Sequence, residues 1–179
     1  MGAGIDYGIK LIIMEKIGIF YGSTTGKTAA VAKKIADCLG VAESDVHDVA
    51  KTAPSKVADY DVLVLGSSTW GDGDMQDDMH DFIDGVSAID LKGKKMALFG
   101  CGDETMTETF CNAVGEMHDA LKDTGVRFIG NYNTDGYEFN HSDSVKDNVA
   151  EGLLIDNVNH EEMTDNRIAA WCAEIKMEI

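Results

Sequence analysis

The sequence predicts a doubly wound α/β fold, on three observations. Short continuous apolar runs, Ile17-Gly18-Ile19-Phe20, Val62-Leu63-Val64-Leu65 and Met96-Ala97-Leu98-Phe99, have the composition of strands buried on both faces of a parallel sheet. Segments with apolar residues at helical spacing alternate with them along the chain. Loops of unusual composition follow these strands, at the sheet edge where open α/β folds bind their ligands.

Each element follows from its local pattern. After the first strand, Val31, Ile35, Cys38 and Leu39 recur at helical spacing and Gly40 supplies a stop, giving a helix over about Lys27 to Leu39. Val46 to Val49 alternates and reads as a short edge strand, and Val62 to Leu65 is the next buried strand. Met75, Met79, Phe82, Ile83 and Val86 return to helical spacing before the strand Met96 to Phe99. Phe110, Val114, Met117 and Leu121 form the next helix, stopped by Gly125, and Val126 to Ile129 starts a further strand. Ile168, Trp171, Cys172 and Ile175 lie on a terminal helix with Thr164 as its expected N-cap.

Composition narrows the function. A chain of 179 residues with 44% apolar content is long enough for one compact domain, and its single proline, Pro54, leaves no Pro-rich linker to divide it. Residues 15–179 therefore read as one domain and residues 1–14 as an N-terminal extension, with Met14 an alternative start. The formal net charge of -17 argues against nucleic acid and anionic membrane as partners and favours proteins with basic surfaces. No apolar stretch approaches transmembrane length, and the N-terminus lacks the basic region and cleavage site of a secretory signal. Cysteines 38, 101, 111 and 172 form no Cys-x-x-Cys pair, which fits a reducing, cytoplasmic setting. The histidines at 47, 80, 118, 141 and 160 show no metal-ligand spacing and are expected at the surface or as caps, so no metal site is expected.

Three loops carry the chemistry. The first, Tyr-Gly-Ser-Thr-Thr-Gly-Lys-Thr at 21–28, joins the first strand to the first helix. A strand-to-helix turn aims free backbone N–H groups and the positive end of the helix dipole at one point, and the hydroxyls of Ser23, Thr24, Thr25 and Thr28 add donors, so a phosphate is the natural guest. Gly26-Lys27-Thr28 matches the end of a Walker A loop, but that motif needs four residues between its glycines, whereas Gly22 and Gly26 enclose only Ser23 to Thr25. The tighter loop suits a terminal phosphomonoester better than a polyphosphate with magnesium. The second loop, Gly-Ser-Ser-Thr-Trp-Gly-Asp-Gly-Asp at 66–74, sets a bulky Trp70 among polar and flexible residues. The third, Gly-Cys-Gly-Asp-Glu-Thr-Met-Thr at 100–107, has glycines that let a ligand approach the backbone closely.

On these residues the chain resembles a flavodoxin of the long-chain type, over about Lys16 to Ile175. The resemblance rests on Ser-Thr-Thr-Gly-Lys-Thr, Ser-Ser-Thr-Trp, Leu-Phe-Gly-Cys-Gly-Asp, Phe-Cys-Asn-Ala and Thr-Asp-Gly-Tyr-Glu-Phe. It also rests on the polar segment at about 131–152, similar to the insertion that splits the fifth strand of long-chain members. The resemblance implies a five-stranded parallel sheet of order 2-1-3-4-5 and bound FMN, in a low-potential one-electron carrier and not an enzyme. By position it assigns the FMN phosphate to Ser23, Thr24, Thr25, Gly26, Lys27 and Thr28, and the ribityl chain or ring to Ser68 and Thr69. Trp70 is expected to stack on one ring face, with Gly71, Asp72, Gly73, Cys101, Gly102 and Asp103 offering main-chain groups to the ring edge. The Gly71–Asp72 peptide is expected to turn its carbonyl toward the ring when the first electron and proton arrive. Cys111 is a weaker transfer, and the side chains of Cys101 and Cys111 read as buried thiols. Relatives usually carry Gly-Asp-Gln followed by a tyrosine that covers the second ring face. Here Asp103-Glu104-Thr105-Met106 stands in that region and puts Met106 at the tyrosine position, so weaker stacking is expected.

Asp72, Asp74, Asp77, Asp78, Asp81 and Asp84 crowd the segment beside the expected ring edge. Carboxylates there disfavour an anionic reduced flavin, lower its potential, and attract basic-faced redox partners such as flavodoxin reductases or oxidoreductases. Two other classes share this architecture. An FMN-dependent NAD(P)H quinone reductase would need a nicotinamide pocket and basic residues for the nucleotide phosphates, and these loops are acidic. A signalling receiver would need paired acidic residues after the first strand and an Asp ending the third, where this chain has Tyr21-Gly22 and Gly66-Ser67. A monomer is expected.

Overall fold

The computed structural model describes residues 14–179. Residues 1–13 of the expected N-terminal extension lie outside the described residues. Along the chain the elements are β1 (Ile17–Gly22), α1 (Lys27–Leu39), β2 (Val46–Asp48), β3 (Val62–Trp70), β4 (Asp74–Met75), α2 (Asp77–Ser87) and β5 (Lys95–Gly102). They continue with α3 (Asn112–Leu121), β6 (Arg127–Ile129), β7 (Tyr132–Asn133), β8 (Val145–Lys146), β9 (Val149–Ala150), β10 (Leu153–Asp156) and α4 (Glu161–Glu178).

The main sheet runs β10-β5-β3-β1-β2 with every neighbour parallel. Strand β6 pairs with β5 from Lys95 to Ala97, and β10 pairs with the same strand from Phe99 to Gly102. The fifth strand position is thus shared by two pieces of chain, which is the 2-1-3-4-5 order with its last strand split. Between them, β7, β9 and β8 form a small antiparallel sheet inside the expected insertion. Gly152 makes the re-entry feasible, because a Cβ there would lie 2.2 Å from the Leu98 carbonyl oxygen.

Strand residues alternate between two cores, as the pleat requires. Ile19, Val62, Val64, Ala97, Phe99 and Ile155 pack with Val31 and Ile35 of α1 and with Ile168 and Trp171 of α4. Phe20, Leu63, Leu65, Met96, Leu98 and Leu154 pack on the other face with Met79 and Phe82 of α2 and with Val114 and Met117 of α3. Continuous apolar runs therefore meant strands with both faces covered.

Some boundaries move for identifiable reasons. Strand β3 runs on to Trp70, beyond the expected end at Leu65, because Gly66, Ser67 and Ser68 still pair with β5 while Thr69 and Trp70 pair with β4. Met75 belongs to β4, and α2 begins after Gln76, whose side-chain oxygen accepts the Met79 N–H. Helix α4 starts a turn earlier than expected, so Thr164 is a buried residue inside the helix and not its cap. Two histidines expected at the surface are packed instead: His47 Nε2 lies 2.6 Å from the Tyr60 hydroxyl, and the His118 ring sits 4.2 Å from that of Phe128.

Candidate functional site

The strands end at one edge, and the loops that leave them converge there. After β1 the chain turns through Ser23–Thr25 into α1, with Gly26 at the N-cap position in the left-handed region, φ 88°. Only glycine occupies that conformation freely. Ser23 Oγ accepts the Gly26 N–H at 3.1 Å, which closes the loop. No side chain caps α1 and no acidic residue stands in its first turn, so its leading N–H groups and dipole face the loop uncompensated. Thr28 is buried at 1% exposure, and its hydroxyl has no nitrogen or oxygen partner among the described residues, only the weakly hydrogen-bonding Cys101 thiol beside it. A buried hydroxyl of this kind is normally satisfied, and an anion at the helix start is what would satisfy it.

At the end of β3, Trp70 is 44% exposed and its indole N–H donates to Ser68 Oγ at 2.8 Å, which fixes the ring's orientation. The chain then makes a tight turn in which the Gly73 N–H donates to the Trp70 carbonyl at 3.0 Å. Gly71 stands at φ 51°, so it already occupies the left-handed region. Asp72 is exposed on this turn, while Gly73 is packed so closely against α3 that a Cβ would fall 2.9 Å from the Asn112 amide nitrogen.

Beside the indole lies a cavity of about 270 Å³, lined by Thr25, Lys27, Ser68, Thr69, Trp70, Cys101, Gly102, Asp103, Asn157 and Val158. A second cavity of about 270 Å³ is lined by Thr24, Trp70, Gln76 and Asp77. The structure therefore brings residues from all three expected loops to one place, with Trp70 common to both cavities. Thr69 is engaged as well, its Oγ1 accepting the Ala113 N–H at the start of α3 at 3.3 Å.

Of the expected contacts, Ser23, Gly26, Thr28, Gly71, Asp72, Gly73, Met106 and Cys111 line neither cavity. Met106 is half exposed and lines neither cavity. Its turn is pinned toward the β10–α4 loop: Asp103 Oδ1 accepts the Thr105 N–H and the Asn159 amide, and Asp156 Oδ2 accepts the Glu104 N–H. Cys111 is fully buried beneath Gly102, where its Sγ would lie 3.0 Å from a Cβ on that glycine. Burial pushes the Cys101 thiol up to about 12 and raises Cys111 well above its ordinary value, so both are neutral.

Sequence reasoning missed Asn157 and Val158 in the cavity wall. A signal was present, since Leu153-Leu154-Ile155 is an apolar run whose following loop had to emerge at the same sheet edge. Glu104, Asp156 and His160 also approach one another, with ligand-type atoms within 4.8 Å. Asp156 is saturated by N–H donors from Glu104, Val158 and Asn159, and Glu104 faces Arg167 at 3.5 Å, so this cluster is a hydrogen-bonded anchor for the neighbouring loops.

The six aspartates from Asp72 to Asp84 are all exposed, on the turn, on β4 and on α2. Among the described residues none of them pairs with lysine or arginine; Asp84 faces only His80, at 3.7 Å. Their field is thus unneutralised beside the cavity edge.

A parallel sheet of this order, with an uncapped phosphate-type loop and an exposed tryptophan at its carboxyl edge, defines a nucleotide-binding α/β protein of the doubly wound type. The flavodoxin family model matches residues 19–171, and the chain belongs to the flavodoxin family. It is 40% identical over 168 residues to a flavodoxin of Klebsiella pneumoniae, covering 93% of this chain and 96% of that protein. It is 41% identical over 168 residues to flavodoxin 1 of Escherichia coli K12, with the same coverage of 93% and 96%. Among solved structures, a Fusobacterium nucleatum flavodoxin bound to flavin mononucleotide superposes with a TM-score of 0.85 at 27% identity, over 93% of this chain and 99% of that one.

Proposed function

We propose that the protein is a one-electron carrier that works with bound FMN and passes electrons between redox enzymes, without a substrate of its own. The observation that carries this reading is the uncapped start of α1, where the buried Thr28 hydroxyl has no nitrogen or oxygen partner, next to a cavity walled by Trp70. The Fusobacterium nucleatum relative, described as bound to flavin mononucleotide, supports it. When bound, FMN supplies reversible uptake and release of single electrons.

The residues divide the work. Ser23 to Thr28 hold the phosphate through hydroxyls, backbone N–H groups and the α1 dipole. Thr69, Asn157 and Val158 line the cavity that would take the ribityl chain and ring, Trp70 would flank the ring, and the main chain at Cys101 to Asp103 would meet its edge. Thr24 and Thr25 stand on the exposed side of the loop, where their hydroxyls would be available to the phosphate. The exposed aspartates of the turn and α2 hold the reduced cofactor at low potential and orient basic-faced partners, flavodoxin reductases or oxidoreductases. The protein acts as a monomer in the cytoplasm, and no helix among the described residues is long and apolar enough to cross a membrane.

Stepwise reduction of the FMN-loaded protein, followed in the visible spectrum, tests the reading. Two resolved one-electron stages, with no oxidation of added NAD(P)H, are expected. Steady NAD(P)H oxidation with quinone would favour the quinone reductase alternative, and failure to bind FMN would sink both.

A further inference from the structure

Gln76 is a buried residue, 3% exposed, that the motifs did not single out. It touches three parts of the site at once, two of them through its side-chain amide. The oxygen accepts the Met79 N–H at 2.9 Å and so caps α2. The nitrogen donates to Asp78 Oδ2 at 2.8 Å and across to Thr24 Oγ1 in the phosphate loop at 3.3 Å. Its backbone N–H meets Ser67 Oγ of β3 at 3.1 Å. The amide is wedged against β1 as well, since a Cβ on Gly22 would lie 2.4 Å from its oxygen.

The direction of the Thr24 contact has a chemical consequence. An amide N–H can only donate, so the Thr24 oxygen accepts there and its single proton must point elsewhere. We propose that Gln76 is a positioning residue that presents Thr24 as a hydrogen-bond donor to a phosphomonoester, and so gives the protein its preference for FMN over riboflavin. The proposal rests on the FMN reading above and adds to it. The α2 cap, strand β3 and a polarised loop hydroxyl are joined through one residue, the strand by its backbone N–H and the other two by its side-chain amide.

The test uses Gln76→Glu in the full-length protein. The change is made together with Asp78→Asn, and compared with Asp78→Asn alone, so that no carboxylate faces the new one at 2.8 Å. The new carboxylate then keeps an oxygen to accept the Met79 N–H, but it offers no donor to Thr24 and draws the hydroxyl proton to itself. FMN and riboflavin are titrated against the Trp70 fluorescence of the FMN-free protein, in the natural and Thr24→Val backgrounds. Expected is a rise of about tenfold or more in the FMN dissociation constant, equivalent to about 1.4 kcal/mol, with riboflavin changed less than about threefold. Most of that loss should vanish in the Thr24→Val background, where there is no hydroxyl left to misdirect. Equal losses for FMN and riboflavin would reduce Gln76 to a structural cap and overturn the proposal. So would an FMN loss that is the same with or without the Thr24 hydroxyl, which would be simple charge repulsion. A natural protein that binds riboflavin as tightly as FMN would instead overturn phosphate recognition itself. Should Gln76→Glu not fold, Thr24→Val alone still decides, because the proposal requires it to lower the FMN-to-riboflavin preference and unchanged preference refutes it.

Discussion

Thr28→Val should push stability and cofactor affinity in opposite directions. The side chain is 1% exposed and its hydroxyl has no nitrogen or oxygen partner among the described residues, only the Cys101 thiol, a weak partner, beside it. Leaving such a group buried and unpaired costs about 1–3 kcal/mol, whereas valine has nearly the same shape and nothing to satisfy. The FMN-free variant should therefore gain about 1 kcal/mol, which for a chain of this length raises Tm by about 2–4 °C. With FMN the sign reverses. A hydrogen bond to a charged group contributes about 1.5–3 kcal/mol, so its loss should raise the FMN dissociation constant about ten- to hundredfold. Riboflavin has no phosphate and should bind the two proteins alike. Differential scanning calorimetry of the FMN-free proteins and fluorescence titrations with both flavins give all the numbers needed. A variant that melts lower and binds FMN as before would show that Thr28 packs the helix start and has no part in holding an anion.

Two further outcomes are expected. Electron transfer from a basic-faced flavodoxin reductase should slow as salt is raised from low to physiological strength, where the screening length is about 8 Å, and Asp77→Lys with Asp78→Lys should slow it at low salt; a rate indifferent to salt would remove steering by this face. Gly152→Ala drives a Cβ to 2.2 Å from the Leu98 carbonyl oxygen, so a loss of about 1–3 kcal/mol is expected, with faster amide exchange along β10, and an unchanged Tm would mean that the strand re-enters with slack.

What could be read from the sequence, and what could not, divides along one physical line. The strands and helices were legible because burial on two faces leaves continuous apolar runs and burial on one face leaves helical spacing. The cofactor loops were legible because glycine and hydroxyl clusters are local. The covering of the cavity was not, because it depends on where separate loops are tied. The resemblance implies that Met106 covers the second ring face, and where it stands depends on the hydrogen bonds from Thr105 and Asn159 to Asp103, and from Glu104 to Asp156, which tie its turn to the β10–α4 loop. Asn157 and Val158 take up the cavity wall instead. The same reasoning explains Thr28 and Gln76. A threonine at a helix start is ordinary in sequence, and only packing shows that its hydroxyl is buried without a nitrogen or oxygen partner. A glutamine before a helix is an ordinary cap, and only the fold carries its nitrogen across to Thr24. Both are polar groups whose arrangement makes sense once an anion stands at the start of α1.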